Sequence, residues 1–511
     1  MTSSDLNTSL TSVAKGATII FMGTIAGNLL GMVNQIILGR YLGPQYYGLF
    51  NLSLSVIMIA ATLSVFGFFG SLSRFIPFHL EKSERDVVRS VIDFGSLFSL
   101  SLGITFAVII YLLADRLAND IFHDARLVPA LKIFAIVIPL YSLQQAVKGI
   151  IRGFKAAKYD AILFNIGTRI VTISVFLLSM LFIHKLYGAI IAYISGVVIT
   201  TAIAMWHIRK KIFPDYHTHE RVPIARSLLS FSWPLALTGF TYLFVFKTDK
   251  VLLGYFMTST DVGIYTPALM IANLLIFIST SFKYIFLPTV SEYFSKNDME
   301  RLEPLFKATS KWNFLVVIPP FLFILIFPRE LLTIIYGSDY IGGYIALMIL
   351  ALGVSVNNFA GTSATLLVAG GKTKLNLTCE IVAGITNVVL NIILIPRYGI
   401  IGAAIATGTS FLTRNLSSLI FVHRSYGIHP YTRKYLNIIL SGLVAATIIY
   451  FSKSYSPLVW WATMLILVIA FVAIYLVLLL ISRSLDENDR VVVFAIERRL
   501  KINLGFMKRF L

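Results

Sequence analysis

Residues 38–50 read LGRYLGPQYYGLF, and residues 253–265 read LGYFMTSTDVGIY. A shift of 215 positions places Gly48 on Gly263 and matches flanking glycine and aromatic residues of the two stretches. Each copy follows one long apolar segment and precedes another. Because self-similarity at a fixed offset indicates a repeated architecture, we predict that each copy forms the hairpin between the first two helices of a duplicated unit.

Three further landmarks repeat in the same order at nearly the same offset. They pair residues 75–77 with 286–288, 153–155 with 370–372, and 187–189 with 398–400. A single match of this kind is common, because glycine and proline often occur at helix ends. Four matches in one order indicate a two-fold repeat, and in transporters such repeats form the two halves that move against each other.

The composition places the chain in a membrane. Its mean hydropathy is +0.82, and 57% of its residues are hydrophobic, whereas only 13% are charged. Soluble domains carry about 25% charged residues. The single cysteine, Cys379, excludes an intrachain disulfide and a cysteine-based metal site. The first residues lack the basic stretch and cleavage site of a signal peptide, so we expect the first apolar run to be retained as a span.

A helix that crosses the bilayer needs about 20 mostly apolar residues. Fourteen segments meet this requirement: 14–38, 48–70, 90–113, 128–146, 161–183, 187–208, 228–246, 263–286, 311–327, 342–366, 377–395, 400–422, 435–452 and 457–482. We therefore predict an all-α integral membrane protein with about fourteen transmembrane helices. They form two pseudo-symmetric six-helix lobes plus two C-terminal helices.

The predicted domains follow from this assignment. They are an N-lobe at 1–208, a basic cytoplasmic linker at 209–227, a C-lobe at 228–422, helices 13 and 14 within 423–482, and a basic cytoplasmic tail at 483–511. The tail mixes basic and large apolar residues, as does an amphipathic helix on an anionic membrane surface. A partly frayed cytoplasmic helix is the alternative.

The net charge of +19 could indicate a nucleic-acid partner, but the distribution of the charges indicates membrane orientation instead. With an even number of helices, both termini lie on one side of the membrane. The loops and tail on that side carry 28 lysine and arginine residues, and the opposite loops carry nine. Because positively charged loops stay in the cytoplasm, we predict a multi-pass cell-membrane protein with both termini cytoplasmic and no nucleic-acid partner.

The sequence lacks the motifs of the common enzyme classes. Residues 370–374, GGKTK, resemble a phosphate-binding loop, but Leu366 stands where its first glycine is required. None of the eight histidines has a metal-binding spacing, and no Gly-x-Ser-x-Gly elbow occurs. The outer loops are too short for the extramembrane domain that a lipid-linked glycan polymerase or ligase usually needs. We therefore predict no enzyme activity, no catalytic residue, no metal and no cofactor.

Charges inside the predicted membrane segments are the remaining signal, because a charged side chain at mid-bilayer costs about 2.5–3.5 kcal/mol and usually faces a cavity or a partner. Three charges lie deep in their predicted helices: Arg169, Arg414 and Lys132. Three lie nearer the cytoplasmic ends of theirs: Asp93, Lys283 and Glu380. Three more lie at the outer end of helix 7: Lys247, Asp249 and Lys250. The excess is cationic, which suits an anionic headgroup, whereas an exporter of organic cations would present carboxylates. Arginine suits phosphate because its fork binds two oxygens. Arg169 has no obvious acidic partner except Asp93, so it is the main candidate for a substrate contact.

Several of these charges have a structural alternative. Lys132 and Lys283 are long enough to extend to the membrane interface. Asp249 could neutralise its lysine neighbours, and Glu380 could form an ion pair with Arg414 on the next antiparallel helix.

Six characteristic stretches stand beside the predicted helices. They are GRYLGPQYYGLFNLS (39–53), SLSRFIPF (71–78), IRGFKAAKYDA (151–161), TDKVLLGYFMTSTDVGIYTPA (248–268), FPRELLTIIYGSDY (327–340) and PRYGIIGAAIATG (396–408). Together they resemble the polysaccharide transporter branch of the multidrug/oligosaccharidyl-lipid/polysaccharide exporter superfamily, the Wzx-type flippases. The resemblance covers nearly the whole chain.

The resemblance implies translocation of a lipid-linked oligosaccharide, built on a polyprenyl phosphate or diphosphate, from the cytoplasmic to the outer leaflet. It also implies alternating access of the two lobes. The family's charged motif positions match Arg40, Arg74, Arg152, Asp249 and Lys250 of this chain. We expect membrane lipids and glycan-assembly enzymes as further partners.

The predicted site is a cytoplasm-facing cationic cavity between the lobes. Its predicted substrate contacts are Arg40, Arg74, Arg152, Arg169, Lys247, Lys250, Lys283 and Arg414. Asp249 and Glu380 are the predicted positions for a coupling Na⁺ or H⁺, and the membrane potential is the alternative driving force. A multidrug cation antiporter of the same superfamily and a peptidoglycan-precursor flippase are the alternative functions.

Overall fold

The computed structural model describes residues 3–212, 222–246, 248–296, 298–359, 361–452, 460–482 and 484 of the chain. Every regular element in these ranges is a helix. In chain order the α-helices are α1 (Ser3–Val65), α2 (Phe68–Glu81), α3 (Arg85–Arg116), α4 (Leu127–Phe134), α5 (Val137–Gly153), α6 (Ala157–Tyr159), α7 (Thr168–Ser179), α8 (Lys185–His207), α9 (Ala225–Phe246), α10 (Thr248–Phe256), α11 (Ser259–Ser295), α12 (Met299–Ile326), α13 (Pro328–Ile335), α14 (Tyr344–Phe359), α15 (Ser363–Ala369), α16 (Thr373–Tyr426), α17 (Lys434–Ser452) and α18 (Trp460–Ile481). Short π-helical segments follow α3 (Leu117–Ile121), α6 (Asp160–Gly167) and α8 (Ile208–Ile212), and a 3₁₀ segment, Ser338–Gly343, precedes α14. The all-α prediction is confirmed.

The helices have the length and composition of membrane spans. Ten helical stretches of the described chain are long and apolar enough to cross a membrane. Thr373–Tyr426 contains two predicted segments, and Met22–Glu81 contains one and most of another. Large apolar side chains lie on their outer surfaces: Leu112 is 70% exposed and Ile385 is 60% exposed. Soluble proteins rarely expose contiguous apolar surface on this scale. The chain is therefore a multi-pass membrane protein.

The first of these stretches reverses direction at Gly43. Gly43 has φ 69° and ψ 168°, and Pro44 follows it inside α1. The Tyr47 hydroxyl donates a hydrogen bond to Oε1 of Gln35 at 2.8 Å. A straight helix would separate these two residues by about 18 Å. The hairpin predicted from residues 38–50 is therefore confirmed: a glycine adopts the positive φ of the turn, and a proline, which has no N–H, starts the next helical run.

The second copy of the stretch also forms a turn between two helices. α10 ends at Phe256 and α11 begins at Ser259. The backbone N–H of Thr258 donates to Oδ2 of Asp261 at 3.0 Å, and the backbone N–H of Asp261 donates to the Thr258 hydroxyl at 3.2 Å. This reciprocal arrangement is a capping box, which satisfies two backbone donors where α11 starts. Both copies therefore have the predicted role of a helix–turn–helix connection.

Helix α16 also reverses direction. Gly399 has φ 53° and ψ −128° inside it. Nδ2 of Asn387 donates to the Thr407 hydroxyl at 3.3 Å, although a straight helix would separate these residues by about 30 Å. The predicted segments 377–395 and 400–422 are therefore antiparallel neighbours, as expected for consecutive spans.

Several predicted segments differ from the observed helices; the segment predicted at 128–146, for example, is divided between α4 and α5. The segment predicted at 311–327 belongs to α12, which begins earlier, at Met299, where the Asp298 side chain caps it by accepting from the Arg301 backbone N–H at 3.3 Å. The predicted segment covers only the apolar part of α12, because hydropathy marks the apolar residues whereas the helix continues through a polar stretch back to Met299. The segment predicted at 342–366 is interrupted between α14 and α15, where Gly361 has φ 62°.

Contacts divide the chain into two compact units, Met1–Thr266 and Pro267–Leu511. In the first unit, an apolar core forms among α2, α3 and α5, with Leu72 fully buried within it. In the second unit, an apolar core forms around Phe306 of α12. Each unit therefore has an apolar core of its own.

The predicted domains stay predictions. The lobes at 1–208 and 228–422 divide the chain at a different place from the two units. Much of the linker at 209–227 lies outside the described residues, and so does the tail at 483–511 apart from Ser484. The cytoplasmic location of the termini also stays a prediction.

Candidate functional site

Asp160 is the buried centre of an ion cluster in the first unit. The residue is 3% exposed. Nε of Arg152 donates to Oδ2 at 2.6 Å, and Nζ of Lys148 lies 3.7 Å from Oδ1. Lys148 and Arg152 are four residues apart on α5, so their side chains lie on the same face of that helix. A buried carboxylate needs such partners, because an unpaired charge in the interior is strongly destabilising.

Aromatic rings also contact the two cations of α5. The Arg152 guanidinium lies 4.7 Å from the centre of the Phe69 ring, and Nζ of Lys148 lies 5.6 Å from the centre of the Phe164 ring. Phe164 belongs to the π-helical segment that begins at Asp160. Cation–π contacts of this kind contribute about 0.5–2 kcal/mol, most where the cation is removed from water. The rings therefore favour the observed positions of both cations.

Arg169 lies on α7, in the same membrane span as Asp160, and is half-buried. A Cβ added to Gly31 would lie 3.4 Å from Nε of Arg169, so the side chain passes close to α1 at a position without a side chain. The guanidinium is within electrostatic range of Lys148 and of the Tyr193 hydroxyl. Across the described part of the chain, Arg169 has no hydrogen-bond or ion-pair partner.

We call Lys148, Arg152, Asp160 and Arg169 the N-terminal cationic cluster. Its three cations and one carboxylate leave an excess of two positive charges. Uncompensated charge inside a membrane span is costly and usually serves a ligand. A guanidinium can bind two oxygens of a phosphate at once, and an ammonium adds a compact positive charge beside it. The cluster is therefore suited to bind an anion that carries oxygen ligands.

The second unit contains a compensated pair. Nε and Nη2 of Arg414 donate to Oε1 of Glu380 at 2.8 and 2.5 Å, and the two side chains are 20% and 23% exposed. The residues lie on the two arms of α16, which its reversal brings together. Lys283 of α11 is within electrostatic range of both. Arg414 therefore has a carboxylate partner in this structure, whereas Arg169 has none among the described residues.

Asp249 and Lys250 are buried beside the repeated stretches. Asp249 is 2% exposed; its Oδ2 accepts from the Tyr265 hydroxyl at 2.9 Å, and its Oδ1 accepts from the backbone N–H of Lys250 at 2.8 Å. Lys250 is 8% exposed, and its Nζ donates to Oδ1 of Asn51 at 3.5 Å. Asn51 follows the first copy of the repeat, and Asp249 and Lys250 precede the second. Both charges therefore take part in the packing of the two hairpins.

The remaining candidates are dispersed. Arg40 is exposed on α1, and Arg74 is exposed on α2, where its guanidinium lies 4.4 Å from the centre of the Phe231 ring. Nζ of Lys132 lies 2.8 Å from Oδ2 of Asp115, so this predicted deep charge has a local partner. Lys247 lies outside the described residues.

Asp93 has a different setting from the one considered in the sequence. It lines a groove of about 260 Å³ together with Arg209 and apolar side chains of α3, α5 and α8. The structure brings some of the candidate residues together in two groups. Arg152 and Arg169 join one cluster, and Lys283, Glu380 and Arg414 join another.

Sequence reasoning missed Lys148 and Asp160. The predicted spans 128–146 and 161–183 leave Lys148 and Arg152 in the loop between them, whereas both lie within α5. Asp160 lies in the stretch IRGFKAAKYDA, but the sequence alone predicts no role for it. The available signal was the four-residue spacing of the two cations, followed closely by an acidic residue at the entry of an apolar segment.

A partly buried carboxylate, Asp124, also supports the turn before α4. Asp124 accepts hydrogen bonds from Nε and Nη2 of Arg126 at 2.8 Å each and from the Ser259 hydroxyl at 2.6 Å. Burial raises the pKa of Asp124, but the hydrogen bonds from Arg126 and Ser259 together lower it further, so the pKa lies below its ordinary value of 3.8. Ser259 is the first residue of α11, so Asp124 connects the turn before α4 with the second copy of the repeat by a hydrogen bond.

Within the described ranges, no group of three histidine, cysteine, aspartate or glutamate side chains is arranged to hold a metal ion. The candidate site therefore consists of the N-terminal cationic cluster. The charges of this cluster suit reversible binding of an anion.

Comparison with known proteins agrees with this architecture. The family model described as polysaccharide biosynthesis protein matches residues 13–294, and the MatE family model matches residues 234–393. The "Probable low-salt glycan biosynthesis flippase Agl15" of Haloferax volcanii is 26% identical over 403 residues, which cover 78% of this chain and 81% of that protein. The lipid II flippase MurJ of Bacillus subtilis is 21% identical over 460 residues, which cover 81% of this chain and 83% of that protein.

A solved structure shares the fold. The lipid II flippase MurJ in an inward closed conformation aligns with a TM-score of 0.72 at 17% sequence identity, covering 90% of this chain and 98% of that chain. The relatives described above are named as flippases, so the prediction that the chain is not an enzyme is confirmed. Since the first family model covers more than half of the chain, the predicted resemblance is confirmed and the chain belongs to the polysaccharide biosynthesis protein family of membrane transporters.

Proposed function

We propose that the chain is a flippase that moves a polyprenyl-(di)phosphate-linked oligosaccharide from the cytoplasmic to the outer leaflet by alternating access. The product would serve the assembly of a cell-surface polysaccharide or a glycoprotein glycan. The observation that carries the proposal is the excess positive charge of the N-terminal cationic cluster, and above all Arg169, for which the described residues supply no counter-ion. The names of the relatives support the same class of function.

The charge of the cluster fits the transport problem. A phosphorylated lipid headgroup cannot enter hydrocarbon alone, because a charge at the bilayer centre costs at least about 2.5–3.5 kcal/mol. Arg169 carries the complementary charge at partial burial and has a planar fork that binds two phosphate oxygens. The lipid tail can remain in the bilayer while the headgroup passes along the protein. The cation and the anion then reduce each other's cost inside the membrane.

The membrane potential supplies the driving force in this proposal. With the cytoplasm negative, outward movement of about two negative charges is favoured by about 4–5 kcal/mol per 100 mV. The loaded step therefore requires no ATP. A coupling Na⁺ or H⁺ at Asp249 or Glu380 stays a proposal for the return step; both carboxylates already accept hydrogen bonds from protein groups.

The match of the MatE family model to residues 234–393 favours a second candidate, a multidrug cation antiporter. Such a site would need a carboxylate available to an organic cation. In the first unit, Asp160 is instead occupied by Arg152 and Lys148. The peptidoglycan-precursor flippase is a third candidate, since its headgroup has the same phosphate chemistry; the identity of the accumulated lipid decides between it and the favoured function.

Deletion of the gene tests the proposal in cells. We expect lipid-linked oligosaccharide to accumulate in the cytoplasmic leaflet and surface glycan to fall, and expression of the wild-type chain to reverse both. Arg169→Ala should reverse them only in part, whereas the matched control Lys132→Ala should reverse them fully, because Lys132 is paired with Asp115 outside the cluster. Altered sensitivity to cationic drugs with normal lipid levels would instead support the antiporter.

A further inference from the structure

The Asp160 carboxylate is only partly satisfied by its two cations. Oδ2 accepts a short hydrogen bond from Arg152. Oδ1 is buried and has no hydrogen-bond partner among the described residues, because Nζ of Lys148 at 3.7 Å is beyond hydrogen-bond distance. Full satisfaction is the rule for buried polar atoms. This carboxylate therefore neutralises the cations of α5 without forming the best available contacts with both.

We infer that Asp160 is a resident counter-anion, and that the diphosphate group of the substrate displaces it from Lys148 and Arg152. The inference rests on the proposed function and specifies its ligand. A diphosphate that links a prenyl chain to a sugar carries two negative charges, whereas the corresponding monophosphate carries one. Only the diphosphate matches the net charge of two on the N-terminal cationic cluster.

The cations can change partner without a large rearrangement. Lys148 is long and flexible, and its ammonium makes no close hydrogen bond to Asp160. Arg152 is 45% exposed in its side chain, so a ligand can reach it. Arg169 lies nine residues beyond Asp160 on the same span. Its guanidinium is within electrostatic range of Lys148, so its charge adds to the attraction for the same anion.

The position of Asp160 at the start of a helix stabilises its carboxylate when Lys148 and Arg152 bind the ligand instead. It is the fourth residue of the helical run that starts at Ala157. A carboxylate in the first turn of a helix is stabilised by the helix dipole and by unpaired backbone N–H groups. The residue also begins a π-helical segment, and such segments frequently occur at functional sites.

The exchange limits the uncompensated positive charge of the cluster in the unloaded state. When the diphosphate leaves, Asp160 pairs with Lys148 and Arg152 again, so the unloaded protein does not carry three bare cations in the membrane. Removing the carboxylate should therefore strengthen diphosphate binding and slow release. Affinity and turnover should change in opposite directions.

The test uses the full chain in lipid nanodiscs with a short-chain prenyl-diphosphate sugar and the matching prenyl-monophosphate sugar as probes. We expect the wild type to prefer the diphosphate, and Asp160→Asn to bind it about tenfold more tightly, equivalent to about 1.4 kcal/mol. Flipping of the same lipid in proteoliposomes should fall in this variant. Asp115→Asn is the matched control, because Asp115 pairs with Lys132 and is 58% exposed; both readouts should stay at the wild-type level.

Three results overturn the inference: equal affinity of the wild type for the two probes, unchanged or weaker diphosphate binding by a folded Asp160→Asn, or tighter binding without slower flipping. If Asp160→Asn fails to fold, two other variants test the inference. Asp160→Glu retains the negative charge and should keep the wild-type affinity. Arg152→Gln should lose about tenfold in affinity for the diphosphate and much less for the monophosphate. Equal losses for the two probes would also overturn it. A wild type that binds the diphosphate but flips no lipid refutes the proposed function and leaves the binding inference standing.

Discussion

Gly48 packs against Gly263, its counterpart in the repeat, with no room for a side chain at either position. A Cβ on Gly48 would lie 2.9 Å from the Gly263 nitrogen, and a Cβ on Gly263 would lie 3.1 Å from the Gly48 nitrogen. The same atoms would overlap the Ser259 carbonyl in the first case and the Pro44 carbonyl in the second. The contact is reciprocal, as in an isologous interface between identical surfaces. Two positions related by sequence are therefore also related by a local two-fold arrangement.

Gly48→Ala should destabilise the protein. The added methyl group meets backbone atoms, which cannot move aside as a flexible side chain can, so we expect a loss of about 1–3 kcal/mol in the free energy of unfolding. Thermal melting of the purified protein in detergent measures the effect. Gly239→Ala on α9 is the matched control, because its new Cβ would meet only Cγ2 of Thr62 at 3.7 Å. A melting temperature that is the same for Gly48→Ala and the wild type would refute the close contact.

The Glu380–Arg414 pair should respond asymmetrically to neutralisation. Glu380→Gln leaves Arg414 beside the like charge of Lys283, whereas Arg414→Gln leaves Glu380 beside an opposite charge. We therefore expect Glu380→Gln to cost more stability than Arg414→Gln, by about 1–3 kcal/mol, and the double variant to recover part of the loss. Unfolding of the two single variants and the double variant gives the coupling energy. Strict additivity would mean that the two side chains do not interact.

Asp124 should make stability depend on pH on the acid side. Its folded pKa lies below the ordinary value of 3.8 because hydrogen bonds from Arg126 and Ser259 outweigh the effect of burial. A carboxyl with a lowered folded pKa contributes its full stabilisation above its unfolded pKa and loses it as pH falls through the folded pKa. Asp124→Asn should therefore melt below the wild type at pH 7, and the difference should shrink below about pH 4. A difference that is constant from pH 7 to pH 3 would contradict this assignment.

The sequence predicts the membrane architecture because its strongest signals are local. Apolar runs mark the spans, and Gly43-Pro44 marks the first reversal, since positive φ and a missing N–H are properties of those two residues alone. The ends of helices are less predictable: α12 continues from its apolar part through a polar stretch back to Met299, where the Asp298 cap marks the start.

The candidate site was only partly predictable. Arg169 stands out from the sequence because arginine is rare in an apolar segment. The pairing of Asp160 with Lys148 depends instead on the angle between two helices, which hydropathy does not encode. The Glu380–Arg414 pair was among the alternatives because a helical hairpin places residues side by side when they lie on opposite arms at similar distances from the turn.

The rate of lipid flipping by an Arg169 variant tests the central claim most directly. The claim is that unpaired positive charge in the first unit carries a phosphorylated headgroup across the membrane. The assay follows outward movement of a fluorescent prenyl-diphosphate sugar in proteoliposomes that contain the wild type, Arg169→Ala or Lys132→Ala. We expect Arg169→Ala to slow flipping at least about tenfold, since a hydrogen bond to a charged group is worth about 1.5–3 kcal/mol, and Lys132→Ala to match the wild type. Wild-type flipping by an Arg169→Ala protein that melts normally would contradict the account.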